Sequence, residues 1–131
     1  MDYYNSIEKV LNYVEHNLKN EIKLEGLAKE ACLSQFHFHR IFKSVTNETL
    51  NQCVKRLKME KASRRLINDK KLEIKEVAYG LGYQSLSNFT RDFKEFFGIS
   101  PTQFRNGIEE PKNLLASSTL NFEIKYESIQ W

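Results

Sequence analysis

The residues best suited to chemistry in this chain are two arginine–lysine pairs. Arg40 and Lys43 stand three positions apart, and Arg91 and Lys94 repeat the pair 51 residues later. A guanidinium can donate two hydrogen bonds to the edge of a guanine, whereas an ammonium group suits phosphate oxygens. Polar side chains surround both pairs, and the sequence indicates no close acidic pair set in a catalytic cleft. The pairs therefore indicate recognition of a nucleic acid rather than catalysis.

The first pair lies in a stretch, residues 27–43, whose pattern predicts a short helix, a tight turn and a second helix. Ser34 can cap the second helix, because its hydroxyl can accept a hydrogen bond from a free amide of the first turn. Phe38, Ile41 and Phe42 fall on one side of that helix at spacings of three and four. The other side is polar and cationic, as a helix in a DNA major groove requires. It carries Gln35, Phe36, His39, Arg40 and Lys43.

The same pattern recurs in the second half of the chain, which indicates a duplicated structural unit. A shift of 51 residues places Phe38 on Phe89 and Phe42 on Phe93. A shift of 50 fits the preceding helix, so the second turn is one residue longer. We expect a second recognition helix over residues 86–97, with Phe89, Phe93, Phe96 and Phe97 inward and Leu86, Ser87, Thr90, Arg91 and Lys94 outward.

These outward residues divide into base-reading and backbone-contacting candidates. Bases would be contacted by Gln35, Phe36, His39, Arg40, Leu86, Ser87, Thr90 and Arg91. The DNA backbone would be contacted by Ser34, Lys43, Ser85 and Lys94. Two alternatives stay open. The arginines could form surface salt bridges instead, and Phe36 and Leu86 could either touch thymine methyl groups or belong to the core.

The elements that would position these helices are all helical. Asn5, with Glu8 as its capping-box partner, would begin a first helix that ends near residues 19–20. Residues 50–68 read as one long helix with apolar contacts towards both ends. It would be a rod of roughly 28 Å, close to the roughly 34 Å between successive major-groove faces. The predicted fold class is therefore all-α, with two helix-turn-helix subdomains at 1–48 and 69–107 and a connecting helix at 49–68.

The remaining residues, 108–131, have a different character. Leu120, Phe122, Ile124 and Tyr126 alternate with polar residues, which predicts a β-strand. A lone strand needs a partner to be stable. This segment could begin a truncated effector domain, or it could pack on the helices or on a second copy of the chain. We favour the truncated domain.

Composition bounds the class of protein. The chain has 131 residues, 40% of them hydrophobic, and a net charge of +3 that divides into +5 over residues 1–107 and −2 over 108–131. An excess of positive charge fits a partner with phosphates. The sequence contains no run long enough to span a membrane and no signal segment, so we expect a cytoplasmic protein. Two cysteines, Cys32 and Cys53, fit a reducing compartment.

Other chemistry has little support in the sequence. His37 and His39 diverge on a helix, and no set of Cys and His has the spacing of a zinc site. The chain has no glycine-rich phosphate loop and no nucleophile elbow. We therefore expect no enzyme activity, no metal and no cofactor.

The ordered motifs of the second unit resemble a known family. The segment from Ile74 to Arg105, with GLGYQSLSNFTRDFKEFFGISPTQFR at its centre and end, is similar to the C-terminal signature of AraC/XylS-type transcription regulators. Residues 56–67 resemble the connecting helix of that family, and the resemblance covers about residues 5–106. Two positions depart from it: Cys32 stands where a turn glycine is common, and Ser85 where an aspartate is common.

The resemblance implies a sequence-specific regulator that binds double-stranded promoter DNA. It further implies an activator that contacts RNA polymerase, and a small-molecule effector that would act through a missing C-terminal domain. Because both units lie in one chain, a monomer could read two successive grooves of an asymmetric site. The rival interpretation is an all-helical protein-interaction module that uses the Phe-rich second unit as a partner groove.

Overall fold

The computed structural model describes residues 3–107, which form seven α-helices and no strand. The helices are α1 (Tyr3–His16), α2 (Leu24–Glu30), α3 (Gln35–Thr46), α4 (Leu50–Asn68), α5 (Ile74–Gly80), α6 (Leu86–Phe97) and α7 (Pro101–Asn106). The all-α prediction is confirmed for this part of the chain. The predicted strand over residues 120–126 lies outside the described residues.

The first of two hydrophobic cores joins α1, α2, α3 and the start of α4. One stripe of α1 supplies Ile7, Val10 and Val14, and α3 supplies Phe38 and Phe42, both fully buried. Leu50 and Cys53 of α4 complete the same core. The recognition helix of the first unit is therefore fixed from behind by three other helices.

The second core joins the end of α4 to α5, α6 and α7. Met59, Ala62 and Leu66 of α4 pack in it with the phenylalanines of α6. The rings of Phe93 and Phe97 lie 4.6 Å apart between centroids, and Phe104 of α7 closes on both. Aromatic contacts thus support the second recognition helix, and each aromatic pair stabilises the fold beyond the burial of its apolar area.

The long helix α4 takes part in both cores, as its apolar residues at both ends predicted. Thr49 and Gln52 form a capping box at its start, with hydrogen bonds of 3.1 Å and 2.8 Å. Its 19 residues give a length of roughly 28 Å. The predicted limits of the subdomains at residues 48 and 68 stay a prediction.

The first helix differs from the sequence-based expectation. Asn5 and Glu8 lie inside α1, which already includes Tyr3, so the predicted capping box at its start is wrong. The edge-on contact between the rings of Tyr3 and His37, 5.8 Å apart, provides a packing reason for the earlier start. None of the helices from α1 to α7 has the length and apolar character needed to cross a membrane.

Candidate nucleic-acid interface

Both recognition helices begin at a serine cap, and the sequence predicted the cap at Ser34. The Ser34 hydroxyl accepts a hydrogen bond from the His37 amide at 3.1 Å, and the Ser85 hydroxyl accepts one from the Asn88 amide at 3.1 Å. Such a cap satisfies one of the amides that a helix start leaves without a partner. The caps fix where α3 and α6 begin, and therefore which side chains of each helix face outward.

The turns before the two helices share a backbone conformation but differ in length. Cys32 has a φ of 60° and Gly82 has a φ of 88°, both in the left-handed region. In each turn, the amide of the next residue donates a hydrogen bond to a carbonyl of the preceding helix. Leu33 donates to the Ala28 carbonyl, and Tyr83 donates to the Ala78 carbonyl. Cys32 therefore adopts a conformation that favours glycine. Cys32, which departs from the family pattern, has a left-handed φ like that of Gly82 in the second unit.

The outward face of α3 presents the predicted side chains. Gln35, Phe36, Arg40 and Lys43 are exposed, and His39 is half-buried. Phe36 is 71% exposed, so it does not belong to the core. The Arg40 guanidinium lies 5.7 Å from the centroid of the Phe36 ring, which is a cation–π contact. One polar, cationic and partly aromatic surface results.

The outward face of α6 is arranged in the same way. Leu86, Ser87, Arg91 and Lys94 are exposed, and Thr90 is half-buried. Leu86 is 41% exposed and is likewise not a core residue. Arg91 lies near an acidic neighbour, with 3.7 Å between its Nε and Oδ1 of Asp92. The Arg91 side chain is 63% exposed, and an ion pair at so exposed a position is weak, so the guanidinium can turn to another partner.

The inward face of α6 bears on the rival interpretation. Phe89, Phe93 and Phe97 have no exposed surface, and Phe96 is half-buried. The rings of Phe89, Phe93 and Phe97 fill the second core, so they do not form an open groove for a protein partner. Phe96 lines an open cleft together with charged and polar side chains. The three buried rings therefore give no support to a protein-interaction module.

Asp92 is a residue of this surface that the sequence analysis missed. Its Oδ2 accepts a hydrogen bond from the Tyr83 hydroxyl at 2.8 Å, and its Oδ1 lies 3.6 Å from Nζ of Lys55. Burial, the hydrogen bond to Asp92 and the charge of Asp92 raise the pKa of the Tyr83 phenol well above its usual range. Burial lowers the pKa of the nearby Lys58 ammonium, and the Asp92 charge opposes that shift. The sequence did contain a signal for this role: Asp92 is an acidic residue on a helix that presents cationic side chains.

Arg56 is a second residue whose role the sequence did not reveal. It is a charged residue of α4, yet its side chain is only 11% exposed. It pairs with Glu48 at 3.0 Å and with Glu60 at 3.2 Å. Glu48 lies between α3 and α4. This network therefore links the segment that follows the first recognition helix to the connecting helix. Removal of one partner of such a buried ion pair is strongly destabilising, because it leaves the other charge buried and unpaired.

Within residues 3–107, no three His, Cys, Asp or Glu side chains come together in a way that could hold a metal ion. Both cysteines are free thiols; Cys32 is exposed in its turn and Cys53 is buried in the first core. Burial raises the pKa of the Cys53 thiol to about 12, helped by the charge of Glu48 and opposed by Arg56. The arrangement offers cationic and hydrogen-bonding groups for binding.

Comparison with known proteins identifies the class. Residues 27–107 match the family model of a helix-turn-helix domain. The chain is 35% identical over 99 residues to the transposon Tn10 TetD protein of Escherichia coli, covering 76% of this chain and 71% of that protein. It is 29% identical over 100 residues to the multiple antibiotic resistance protein MarA of Salmonella typhimurium, covering 76% and 78%.

Solved structures agree with this match. The DNA-binding domain of the global transcriptional factor AdpA, determined in complex with a target DNA, superimposes with a TM-score of 0.71 at 26% identity. The superposition covers 77% of this chain and 90% of that one. The family consists of transcription regulators and is not a class of enzymes. The chain belongs to the AraC/XylS family and is a sequence-specific DNA-binding transcription regulator.

Proposed function

We propose that this regulator binds an asymmetric promoter site as a monomer, with α3 and α6 in two successive segments of the major groove. The observation that carries the proposal is the matched exposure of the two helices. Each buries two or three phenylalanines in a separate core and turns an arginine and a lysine outward at the same register. A chain with two such faces needs no second copy to contact two grooves.

Within this proposal, Arg40 and Arg91 are the principal base readers. Gln35 and His39 would assist at one half-site, and Ser87 and Thr90 at the other. Phe36 and Leu86, being exposed, are placed to meet thymine methyl groups. Lys43 and Lys94, with the helix starts at Ser34 and Ser85, would meet phosphates and supply affinity that depends on salt.

The regulatory part of the proposal rests on the family resemblance. Activation of transcription, with a contact to RNA polymerase, is favoured over repression. Action in the cytoplasm, by binding and without catalysis, follows from the same class. A small-molecule effector would act through a domain that follows residue 107.

The test is selection of bound DNA from a random duplex library at about 0.15 M salt. The expected result is an asymmetric motif with two clusters of selected bases about one helical turn apart. A palindromic motif would show that two copies bind, and a single cluster would show that only one unit reads bases. Either result would contradict the proposal of a monomer that reads two grooves.

A further inference from the structure

The two units touch each other directly as well as through α4. Gly82, in the turn before α6, lies against the loop that follows α1 in the first unit. A Cβ added at Gly82 would collide with the carbonyl oxygen of Lys19. Only glycine permits so close an approach between two backbones. The turn that positions the second recognition helix is therefore in direct backbone contact with the first unit.

A second contact between the units starts from Lys55. This residue lies in the part of α4 whose neighbours Cys53, Val54 and Leu57 pack in the first core. Its Nζ reaches across to α6, 3.2 Å from Oε2 of Glu95 and 3.6 Å from Oδ1 of Asp92. The part of α4 that packs in the first core thus forms ion pairs with the second recognition helix.

Asp92 is fixed in turn by the second unit. The Tyr83 hydroxyl donates to it at 2.8 Å, and Nζ of Lys58 lies 5.2 Å from the centre of the Tyr83 ring. Tyr83, Asp92, Lys55 and Lys58 line one cleft together with the loop residues Asn20 and Ile22 of the first unit. Single exposed ion pairs are weak. Here several contacts from both units converge on one carboxylate.

We propose that Lys19, Lys55, Gly82, Tyr83, Asp92 and Glu95 form an inter-unit latch that sets the rotation of α6 relative to α3, and thereby selects the spacing between the two DNA half-sites. This inference rests on the proposed reading of two grooves. The rod α4 sets the distance between the units. The latch opposes rotation of one unit relative to the other. This rotation matters because one added base pair turns the second half-site about the DNA axis by about 35°.

The experiment measures Kd for duplexes in which the selected half-sites keep their spacing or are moved by one base pair in either direction. For the unaltered protein we expect a one-pair shift to weaken binding about tenfold or more. Lys55→Glu places a negative charge beside Asp92 and Glu95, so it should reduce that penalty to about threefold or less. A penalty unchanged from the unaltered protein would overturn the latch.

Controls separate the latch from general charge effects. Lys70→Glu makes the same charge change at an exposed turn residue outside the latch, and it should leave the spacing penalty unchanged. Lys55→Glu with Glu95→Lys restores an attractive pair and should restore the penalty. Failure of this reversed pair to restore it would count against the ion pair as the cause.

A milder variant covers the case in which Lys55→Glu fails to fold. Tyr83→Phe removes only the hydroxyl that anchors Asp92, and Tyr79→Phe is the matched control at an exposed tyrosine. Tyr83→Phe should lower the spacing penalty about twofold, and Tyr79→Phe should not. Equal penalties in the two variants would overturn the role of Tyr83 in the latch.

The same measurements separate this inference from the proposed function. If deletion of one half-site leaves Kd of the unaltered protein unchanged, the reading of two grooves fails. If both half-sites are needed but Lys55→Glu retains the full spacing penalty, only the latch fails.

Discussion

At the scale of single residues, base selection in this proposal depends on Arg40 and Arg91. Both guanidiniums are exposed, and each has a weak neighbour in the free protein: the Phe36 ring for Arg40 and the Asp92 carboxylate for Arg91. A weakly held guanidinium can change partner at small cost when a guanine edge is offered.

We predict that Arg40→Ala and Arg91→Ala each weaken binding to the selected site by about 1–3 kcal/mol and relax base preference in one cluster only. Two guanidinium hydrogen bonds to a base would be lost in each case. The measurement is repeated library selection with each variant, followed by titration of the selected duplex.

Lys43→Ala is the comparison variant for the arginines. It should weaken binding to all sequences to a similar extent and lower the slope of log K against log salt by about one. The assignment of the arginines would be contradicted if either arginine variant selected the same motif as the unaltered protein.

The two cysteines provide a residue-scale test of the fold. Cys32 is exposed, whereas Cys53 is buried with its pKa raised to about 12. A raised pKa lowers the fraction of reactive thiolate at pH 8, and burial blocks access. We predict that the native protein has one fast thiol towards a disulfide reagent and that the second reacts only on unfolding. Cys32→Ser should abolish the fast reaction; two fast thiols would contradict the burial of Cys53.

At the scale of elements, α7, the last helix within residues 3–107, has a role that its sequence did not reveal. Arg105 of α7 donates from Nε to the Leu66 carbonyl at 3.0 Å and from the guanidinium to the Asp69 carbonyl at 3.2 Å. These carbonyls lie at the end of α4, where helical partners are missing. The guanidinium thus closes the connecting helix and attaches α7 to it.

We predict that Arg105→Ala lowers the free energy of unfolding by about 1–3 kcal/mol, because two carbonyls lose a charged donor. Urea unfolding followed by circular dichroism measures the change. Arg64→Ala, at an exposed position of α4, is the matched control and should change stability by less than about 0.5 kcal/mol. An equal effect of both substitutions would contradict the capping role.

At the scale of the whole molecule, α4 joins the two units and takes part in both cores. Its length of roughly 28 Å falls short of the roughly 34 Å between successive groove faces on straight DNA. We therefore predict that the bound duplex is bent towards the protein, since bending brings the two groove segments closer together. A circular-permutation mobility assay measures the bend. Equal mobility for all positions of the site would contradict the prediction.

Much of this protein was determined by its sequence alone. The repeat at 51 residues, the phenylalanine spacing of three and four, and the cap at Ser34 predicted both recognition helices and their outward faces. These are local signals along one helix. The bounds of α4 and α6 agree with the predicted ranges 50–68 and 86–97. The family resemblance added the class of function that the comparisons then established.

Only the tertiary structure decided which polar residues of α4 and α6 are paired. Lys55, Arg56 and Asp92 read as ordinary surface charges in the sequence, yet Arg56 is nearly buried between Glu48 and Glu60. Asp92 joins three elements through Tyr83 and Lys55. Their partners lie up to 40 residues away along the chain, and no periodicity within one helix encodes such contacts. The close approach of Gly82 to the Lys19 carbonyl likewise depends on how the two hydrophobic cores meet.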